Sequence, residues 1–249
     1  MNRKKLSLRE IYNKNRVLVN QNNRGKFNRF KYISAGIPND FLDLTVDDMD
    51  QMKAAFNGDM ITASELLEVW TKNLGDILSK GRGMIFQGDV GLGKSAMAAI
   101  LAKRLIDITT LKHIPCDVFY CYWGEQINNF FLSWENPSYK SKIQRVYNAD
   151  YLILDDVGTG DRETNNKAIV NHFRSIIKHR AIKGKPTIIT MNLDLDRLEE
   201  YNDEFFRTQD VIREKNLIFQ FFGESYRKIN QKNNIDSFQS ELNKYREEK

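Results

Sequence analysis

Cysteine, histidine and long apolar runs are scarce in this sequence. Its 249 residues include two cysteines and three histidines. Cys116 and Cys121 lie in the stretch CDVFYC, where a strand would point their side chains to opposite faces, which suits neither a disulfide nor a shared metal ion. No apolar stretch is long enough to span a bilayer, and the first residues, MNRKKLSLRE, lack the apolar core of a signal peptide. We therefore expect a soluble, cytoplasmic protein with reduced thiols, no zinc site and no membrane partner.

Acidic residues are nearly absent from the first part of the chain. Residues 1–31 contain ten Lys or Arg and one acid, Glu10, and carry +9, so that the remainder, at −4, brings the chain to +5. Such a basic arm can neutralise nucleic-acid phosphates, or it can be a solvated tail, and composition does not distinguish the two. Capping-box spacing at residues 7–10 predicts a short helix over residues 7–19, and the Asn-rich residues 20–31 predict a linker.

From about residue 34 the sequence alternates between helical and strand patterns. A capping box, Thr62-Ala63-Ser64-Glu65, begins a helix that Gly81 ends. Buried strands are predicted at GMIFQ, CDVFYCYW, YLILDD and PTIITMN, with helical patterns between them. Strands that alternate with helices predict an α/β fold with a doubly wound, mostly parallel sheet. We expect this domain over residues 34–230, a basic arm over 1–33 and a polar tail or frayed helix over 231–249.

The loop GDVGLGKS, at residues 88–95, matches the phosphate-binding pattern G-x-x-x-x-G-K-[ST] at every fixed position. Gly91 and Gly93 allow backbone N–H groups to face phosphates, Lys94 reaches the β- and γ-phosphates, and the Ser95 hydroxyl ligates Mg²⁺. The loop follows a predicted strand and precedes a predicted helix, which an ordinary glycine-rich turn need not do. We predict that ATP and Mg²⁺ bind here, at Gly88, Asp89, Val90, Gly91, Leu92, Gly93, Lys94, Ser95 and Ala96.

Polar residues end two further predicted strands. Asp155 and Asp156 follow the apolar residues 151–154, and the carboxyl end of a strand is where a doubly wound sheet places its ligands. Asp155 is predicted to hold Mg²⁺ and Asp156 to orient or deprotonate the attacking water. Asn192 ends PTIITMN and can hold that water or a γ-phosphate oxygen. The alternatives are helix capping for the aspartates and an ordinary turn for the asparagine.

These motifs, in this order, resemble the AAA+ ATPases, and more narrowly their helicase-loader branch, which includes DnaC, DnaI and IstB. The resemblance covers about residues 34–230. AGIPNDFLDLTVDDM is similar to the lead-in segment of that branch, NADYLILDDVG to its Walker B strand, and GKPTIITMNL to its sensor-1 strand. GESYR, at residues 223–227, looks like its closing motif. The last two matches are the most specific, since most other P-loop proteins lack them.

The resemblance implies an ATP-dependent loader that delivers a replicative hexameric helicase to single-stranded DNA within a primosome. It implies that subunits associate into a ring or spiral, that hydrolysis is weak and completed in trans, and that Arg227 acts as a sensor-2-like arginine. The arginine finger of the family is expected just after Asp210, where this chain has Val211. Arg207 and Arg213 lie near that position, and we predict that Arg213 acts as the arginine finger.

DNA contacts are predicted at Lys140, Lys142 and Arg145, which follow an aromatic-rich segment. Its rings at residues 130, 131 and 134 have helical spacing and are more often core than stacking platforms. Two further functions stay open: an IstB-like transposition helper on duplex DNA, and an ATP-sensing scaffold with little hydrolysis. Val211 in the finger position and Asp156 where many AAA+ proteins have Glu favour the scaffold.

Overall fold

The computed structural model describes residues 25–158, 166–192, 195 and 212–247. They form one seven-stranded sheet, in the order β2-β1-β7-β3-β6-β5-β4. The strands are β1 (Lys53–Phe56), β2 (Asp59–Ile61), β3 (Gly83–Gln87), β4 (Val118–Tyr122), β5 (Tyr151–Val157), β6 (Thr187–Met191) and β7 (Asn216–Phe222). The α-helices are α1 (Gly25–Ser34), α2 (Ala63–Lys80), α3 (Lys94–Leu111), α4 (Trp123–Glu135), α5 (Lys140–Asn148), α6 (Lys167–Ile182) and α7 (Tyr226–Glu247).

The five strands from β7 to β4 pair in parallel, and helices cover both faces of this part of the sheet. Alternation along β5 shows how the sequence achieves this. Tyr151 and Ile153 belong to the core on the face that packs against α2 and α3, whereas Leu152 and Leu154 belong to the core on the face of α4 and α6. A strand buried on both faces reads as a continuous apolar run, as YLIL does. The predicted doubly wound α/β fold is confirmed.

A β-hairpin, β1–β2, extends the sheet beyond β7 by antiparallel pairing and was not predicted from the sequence. Its turn places Asn57 and Gly58 at φ values of 51° and 88°, the left-handed conformations that a two-residue type I′ turn requires. The Asn-Gly pair was the signal that could have identified it. The helix predicted from the Thr62 capping box is confirmed as α2, which Gly81 ends at φ 63°.

The linker predicted over residues 20–31 is wrong from residue 25 onward, where α1 begins. Helix α1 packs on α3 through hydrogen bonds from two of its side chains to one half-buried carboxylate. Asn28 Nδ2 and the Tyr32 hydroxyl both donate to Asp107 Oδ1, each at 2.6 Å. Burial, and then the hydrogen bond to this carboxylate, raise the pKa of Tyr32 well above its usual value. The helix predicted over residues 7–19 lies outside the described residues.

Helix α7 runs without interruption through residue 230, after which we predicted a polar tail or frayed helix. It begins at the GESYR segment and extends 22 residues. No helix of the described ranges is long and apolar enough to cross a membrane.

Candidate active site

The loop between β3 and α3 has the backbone that phosphate binding requires. Gly88, Gly91 and Gly93 adopt φ values of 137°, 86° and 89°, and α3 begins at Lys94. A Cβ on Gly91 would lie 2.1 Å from Ser225 Oγ, and one on Gly93 would lie 2.7 Å from Met49 Cε. The glycines therefore allow the loop to curve and let two other segments pack against it.

Lys94 is buried at the first turn of α3. Its Nζ donates to the carbonyl oxygens of Gly88 and Asp89, at 2.7 and 2.6 Å. Burial lowers the pKa of Lys94 to about 8, although the charges of Asp156, Asp89 and Asp155 favour the ammonium form. A buried cation at a helix N-terminus attracts phosphate.

Asp155 and Asp156 occupy different environments at the end of β5. Asp155 is buried and accepts a 2.5 Å hydrogen bond at Oδ1 from the Thr190 hydroxyl of β6. The Asp156 backbone N–H donates to the same hydroxyl oxygen at 2.9 Å. Asp156 has a φ of 63°, and the pairing of β5 with β6 shifts register between Leu154 and Val157, so this strand is irregular where the two carboxylates leave it.

The Asp156 carboxylate is held by two side chains from neighbouring strands. Asn192 Nδ2 donates to Oδ1 at 3.1 Å, and the Tyr122 hydroxyl donates to Oδ2 at 3.4 Å. Burial, and then the negative charge of Asp155, raise the pKa of Asp156. The strand order explains this meeting, because β6 lies between the strand that precedes the phosphate loop and the strand that carries both aspartates.

The GESYR segment packs directly on the phosphate loop. The Tyr226 N–H donates to the Gly91 carbonyl oxygen at 2.9 Å, and Ser225 lies against the space where a Gly91 side chain would be. This contact directs Arg227 into the cleft, and its positive charge contributes to the lowered pKa of Lys94. Arg227 therefore lines the same cleft as the phosphate loop, and its role as a sensor-2-like arginine stays a prediction.

One cleft of about 900 Å³ collects these groups. Gln87 lies just before the phosphate loop and supports the loop with its side-chain amide. Its Nε2 donates to Gln220 Oε1, and its Oε1 accepts from the Leu195 N–H. The lead-in segment forms one wall of the cleft with apolar and acidic side chains. These side chains, and those of Tyr122 and Thr190, were not predicted from the sequence to lie at the site. The wall consists of Asp40, Phe41, Leu44, Asp48 and Met49.

Four predicted residues lie away from the cleft. Arg213 is exposed and precedes β7. Because β7 runs parallel to β3 and starts beside Gly83, Arg213 lies near the end of β3 that is away from the phosphate loop. Lys140 and Lys142 are exposed on α5, where the Lys142 ammonium lies 5.6 Å from the Tyr139 ring centre. Arg145 on the same helix is half-buried and bound within the fold. Val211 and Arg207 lie outside the described residues.

The contacts of Arg145 give it a structural role. It donates to Asp117 Oδ1 at 2.9 Å and to the Ser34 carbonyl at 3.3 Å, and it lies 4.3 Å from the Phe119 ring centre. The aromatic rings of α4 are divided. Phe130 and Phe131 are half-buried, whereas Trp134, predicted as core, is 65% exposed.

The side chains present fit an adenosine triphosphate with Mg²⁺. Glycines at left-handed φ values, the Lys94 ammonium and a helix N-terminus suit a polyphosphate. The Ser95 hydroxyl and the Asp155 carboxylate line the same cleft and are oxygen ligands of the kind that Mg²⁺ prefers.

No protein-family model and no curated protein matches this sequence. Among solved structures, DnaI aligns with a TM-score of 0.54 at 18% identity, over 76% of this chain and 93% of DnaI. A primosome component from Streptococcus pyogenes serotype M3 aligns with a TM-score of 0.54 at 20% identity, over 82% and 99%. The DnaC helicase loader aligns with a TM-score of 0.51 at 18% identity, over 62% and 89%.

At these identities the likeness concerns the fold. The described domain shares its fold with DnaI and the DnaC helicase loader, and the predicted resemblance is confirmed at the level of the fold.

Proposed function

We propose that this protein is an ATP-dependent loader that delivers a replicative hexameric helicase to single-stranded DNA. The observation that carries the proposal is the cleft in which the phosphate loop, Asp155–Asp156, Asn192 and Arg227 meet. The fold supports the same function, since the structures that share it include a helicase loader and a primosome component.

The phosphate loop and the GESYR segment hold the nucleotide in this proposal. Loop N–H groups and the Lys94 ammonium bind the phosphates, and Arg227 contacts the γ-phosphate. Ser95 and Asp155 hold Mg²⁺, which supplies charge neutralisation at the phosphates when bound. Because Tyr226 bonds to Gly91, a shift of the loop on nucleotide binding is transmitted to the start of α7.

Asp156 and Asn192 act on the attacking water. Asn192 orients the carboxylate of Asp156, which accepts a proton from that water. Arg213 does not reach the cleft of its own chain, so it acts in a neighbouring subunit of a ring or spiral. This arrangement makes hydrolysis depend on assembly.

Single-stranded DNA is bound by exposed cations in this proposal. Lys140 and Lys142 are exposed on α5 and can follow a phosphate backbone. Arg145 contributes less to DNA binding, because its guanidinium already donates hydrogen bonds to Asp117 and to the Ser34 carbonyl. The basic residues 1–31 bind DNA or the helicase.

A second candidate function is an ATP-sensing scaffold with little hydrolysis. The contacts of Asp156 favour it. Both carboxylate oxygens already accept hydrogen bonds, from Asn192 on one and Tyr122 on the other, so an attacking water must displace or share one of these donors. In this case ATP binding alone switches the hold on a partner.

The test is ATP turnover measured alone, with single-stranded DNA, with duplex DNA, and with the replicative hexameric helicase of the source organism. The loader proposal expects helicase association and turnover stimulated by single-stranded DNA. Stimulation by duplex DNA without helicase association would instead favour the transposition helper. ATP binding with no turnover under any condition would favour the scaffold. Removal of residues 1–24, which stops before α1, determines whether the arm carries the helicase contact.

A further inference from the structure

Helix α7 leaves the body of the domain soon after the GESYR segment. Its described side chains from residue 231 onward are exposed, except Leu242, which is half-buried. Three of the exposed side chains are large and apolar or aromatic: Ile235 at 59%, Phe238 at 65% and Tyr245 at 58% exposure. The second half of α7 therefore presents an apolar stripe to solvent.

The stripe has coiled-coil spacing. Ile235, Phe238, Leu242 and Tyr245 are separated by three, four and three residues, the a-d-a-d order of a heptad repeat. We call these four residues the α7 seam. A seam this narrow is typical of a helix that pairs with one other helix rather than one that lies on a broad core.

The rest of α7 does not explain why it is helical. The positions between seam residues are rich in Asn, Ser and Asp, which favour the helix less than Ala, Leu or Lys do. An isolated helix of such composition is only marginally stable in water. Burial of the seam against a second helix would supply the missing stabilisation.

Charge complementarity identifies that second helix. With Ile235 at position a, Glu241 falls at g and Arg246 at the following e position, and both are exposed. In a parallel, in-register pair, g of one helix meets the following e of the other. Glu241 then meets Arg246 of the second copy, twice by symmetry. In an antiparallel pair e meets e and g meets g, so this contact is lost.

We propose that α7 pairs with α7 of a second copy of this chain as a short, parallel, two-stranded coiled coil. The interface is isologous, so it joins two subunits and then closes. It is separate from any contact that carries Arg213 to a neighbouring cleft. The proposal does not rest on the ATP site, and the failure of either leaves the other standing.

The first test is the mass of the full-length protein by sedimentation over a wide concentration range, without nucleotide. We expect a monomer–dimer equilibrium. Phe238→Lys should raise the dimer Kd by about 100-fold or more, because the ring is lost from both helices. Ser240→Lys, on the same helix but away from the seam, is the matched control and should leave the Kd nearly unchanged. A monomer at every concentration, or equal effects of both variants, overturns the proposal.

The second test is a charge exchange on exposed side chains. Glu241→Lys and Arg246→Glu should each raise the dimer Kd several-fold at low salt, and the double variant should restore it. Additive loss in the double variant contradicts the parallel register.

The third test determines orientation by oxidation to a disulfide. Ile235→Cys should crosslink rapidly, because only a parallel, in-register pair brings residue 235 opposite itself. Ser240→Cys should not. The native thiols interfere little, since burial raises the pKa of Cys116 and Cys121 to about 12. Equal crosslinking of the two variants overturns the assignment.

Discussion

Thr190 holds the two aspartates of the cleft in position although it carries no charge. It is 1% exposed, and its hydroxyl joins the Asp155 carboxylate to the Asp156 N–H. Thr190→Val keeps the shape of the side chain but removes the hydroxyl. The substitution therefore isolates the effect of these two hydrogen bonds.

The expected cost follows from the groups that lose a partner. Asp155 is buried and loses a donor, and the Asp156 N–H loses its acceptor. An unsatisfied buried polar group costs about 1–3 kcal/mol, so we expect a loss of about 2–4 kcal/mol in the free energy of unfolding. ATP turnover should fall about 10- to 100-fold, because Asp156 is held at a φ of 63° partly by this contact. Nucleotide affinity in the absence of metal should stay within about twofold, because Lys94 and the loop bind the phosphates.

The measurements are denaturant unfolding, steady-state ATP turnover and nucleotide titration in a chelator. Thr190→Ser keeps the hydroxyl and should recover most of the turnover. Thr109→Val is the matched control, because the Thr109 hydroxyl is also buried but donates to carbonyls of its own helix. Wild-type turnover in Thr190→Val, or equal losses in the Thr109 variant, would refute this reasoning.

Three further predictions concern the same cleft. Asp156→Asn should abolish ATP turnover but leave ATP binding intact. Its melting temperature should be equal or higher, because Asn tolerates the left-handed backbone and no longer repels Asp155. Retained turnover would exclude Asp156 as the base. Nucleotide affinity should fall as pH rises above about 8, because the Lys94 ammonium, whose pKa is lowered to about 8, then loses its proton; a flat titration from pH 7 to about pH 9.5 would contradict this. Gly91→Ala should abolish ATP binding, whereas Gly58→Ala, at a similar φ of 88° but with no atom within 4 Å, should only lower stability by about 1–2 kcal/mol; equal binding by both would show that the packing on Gly91 is dispensable.

The phosphate loop and the acidic strand end could be predicted because their chemistry is local. Gly91, Gly93 and Lys94 act within one turn of chain, and Asp155 follows an apolar run that is unmistakably a buried strand. Asn192 could be placed near them because parallel strands end at one edge of the sheet.

Contacts between distant residues could not be predicted. Thr190 reads as an ordinary β-branched strand residue, and its function depends on the register of β5 against β6 and on the irregularity after Leu154. The same holds for Tyr32 and Asp107, which are 75 residues apart. Their contact holds helix α1, whose first residues were predicted to be a linker, against α3.

Other differences had a signal in the sequence. Asn57-Gly58 marked the β1–β2 hairpin, and the three-four-three spacing from Ile235 to Tyr245 favoured the helix over the tail among the two alternatives predicted for residues 231–249. The exposure of Trp134 had no such signal, because helical spacing is the same for a core ring and a surface ring.

The most direct test of the central claim is helicase delivery to circular single-stranded DNA, measured with the wild-type protein and with Lys94→Ala. We predict that the wild type delivers the helicase only when ATP is present, and that Lys94→Ala delivers none while remaining folded. Equal delivery by both proteins, or delivery that does not depend on ATP, would contradict it.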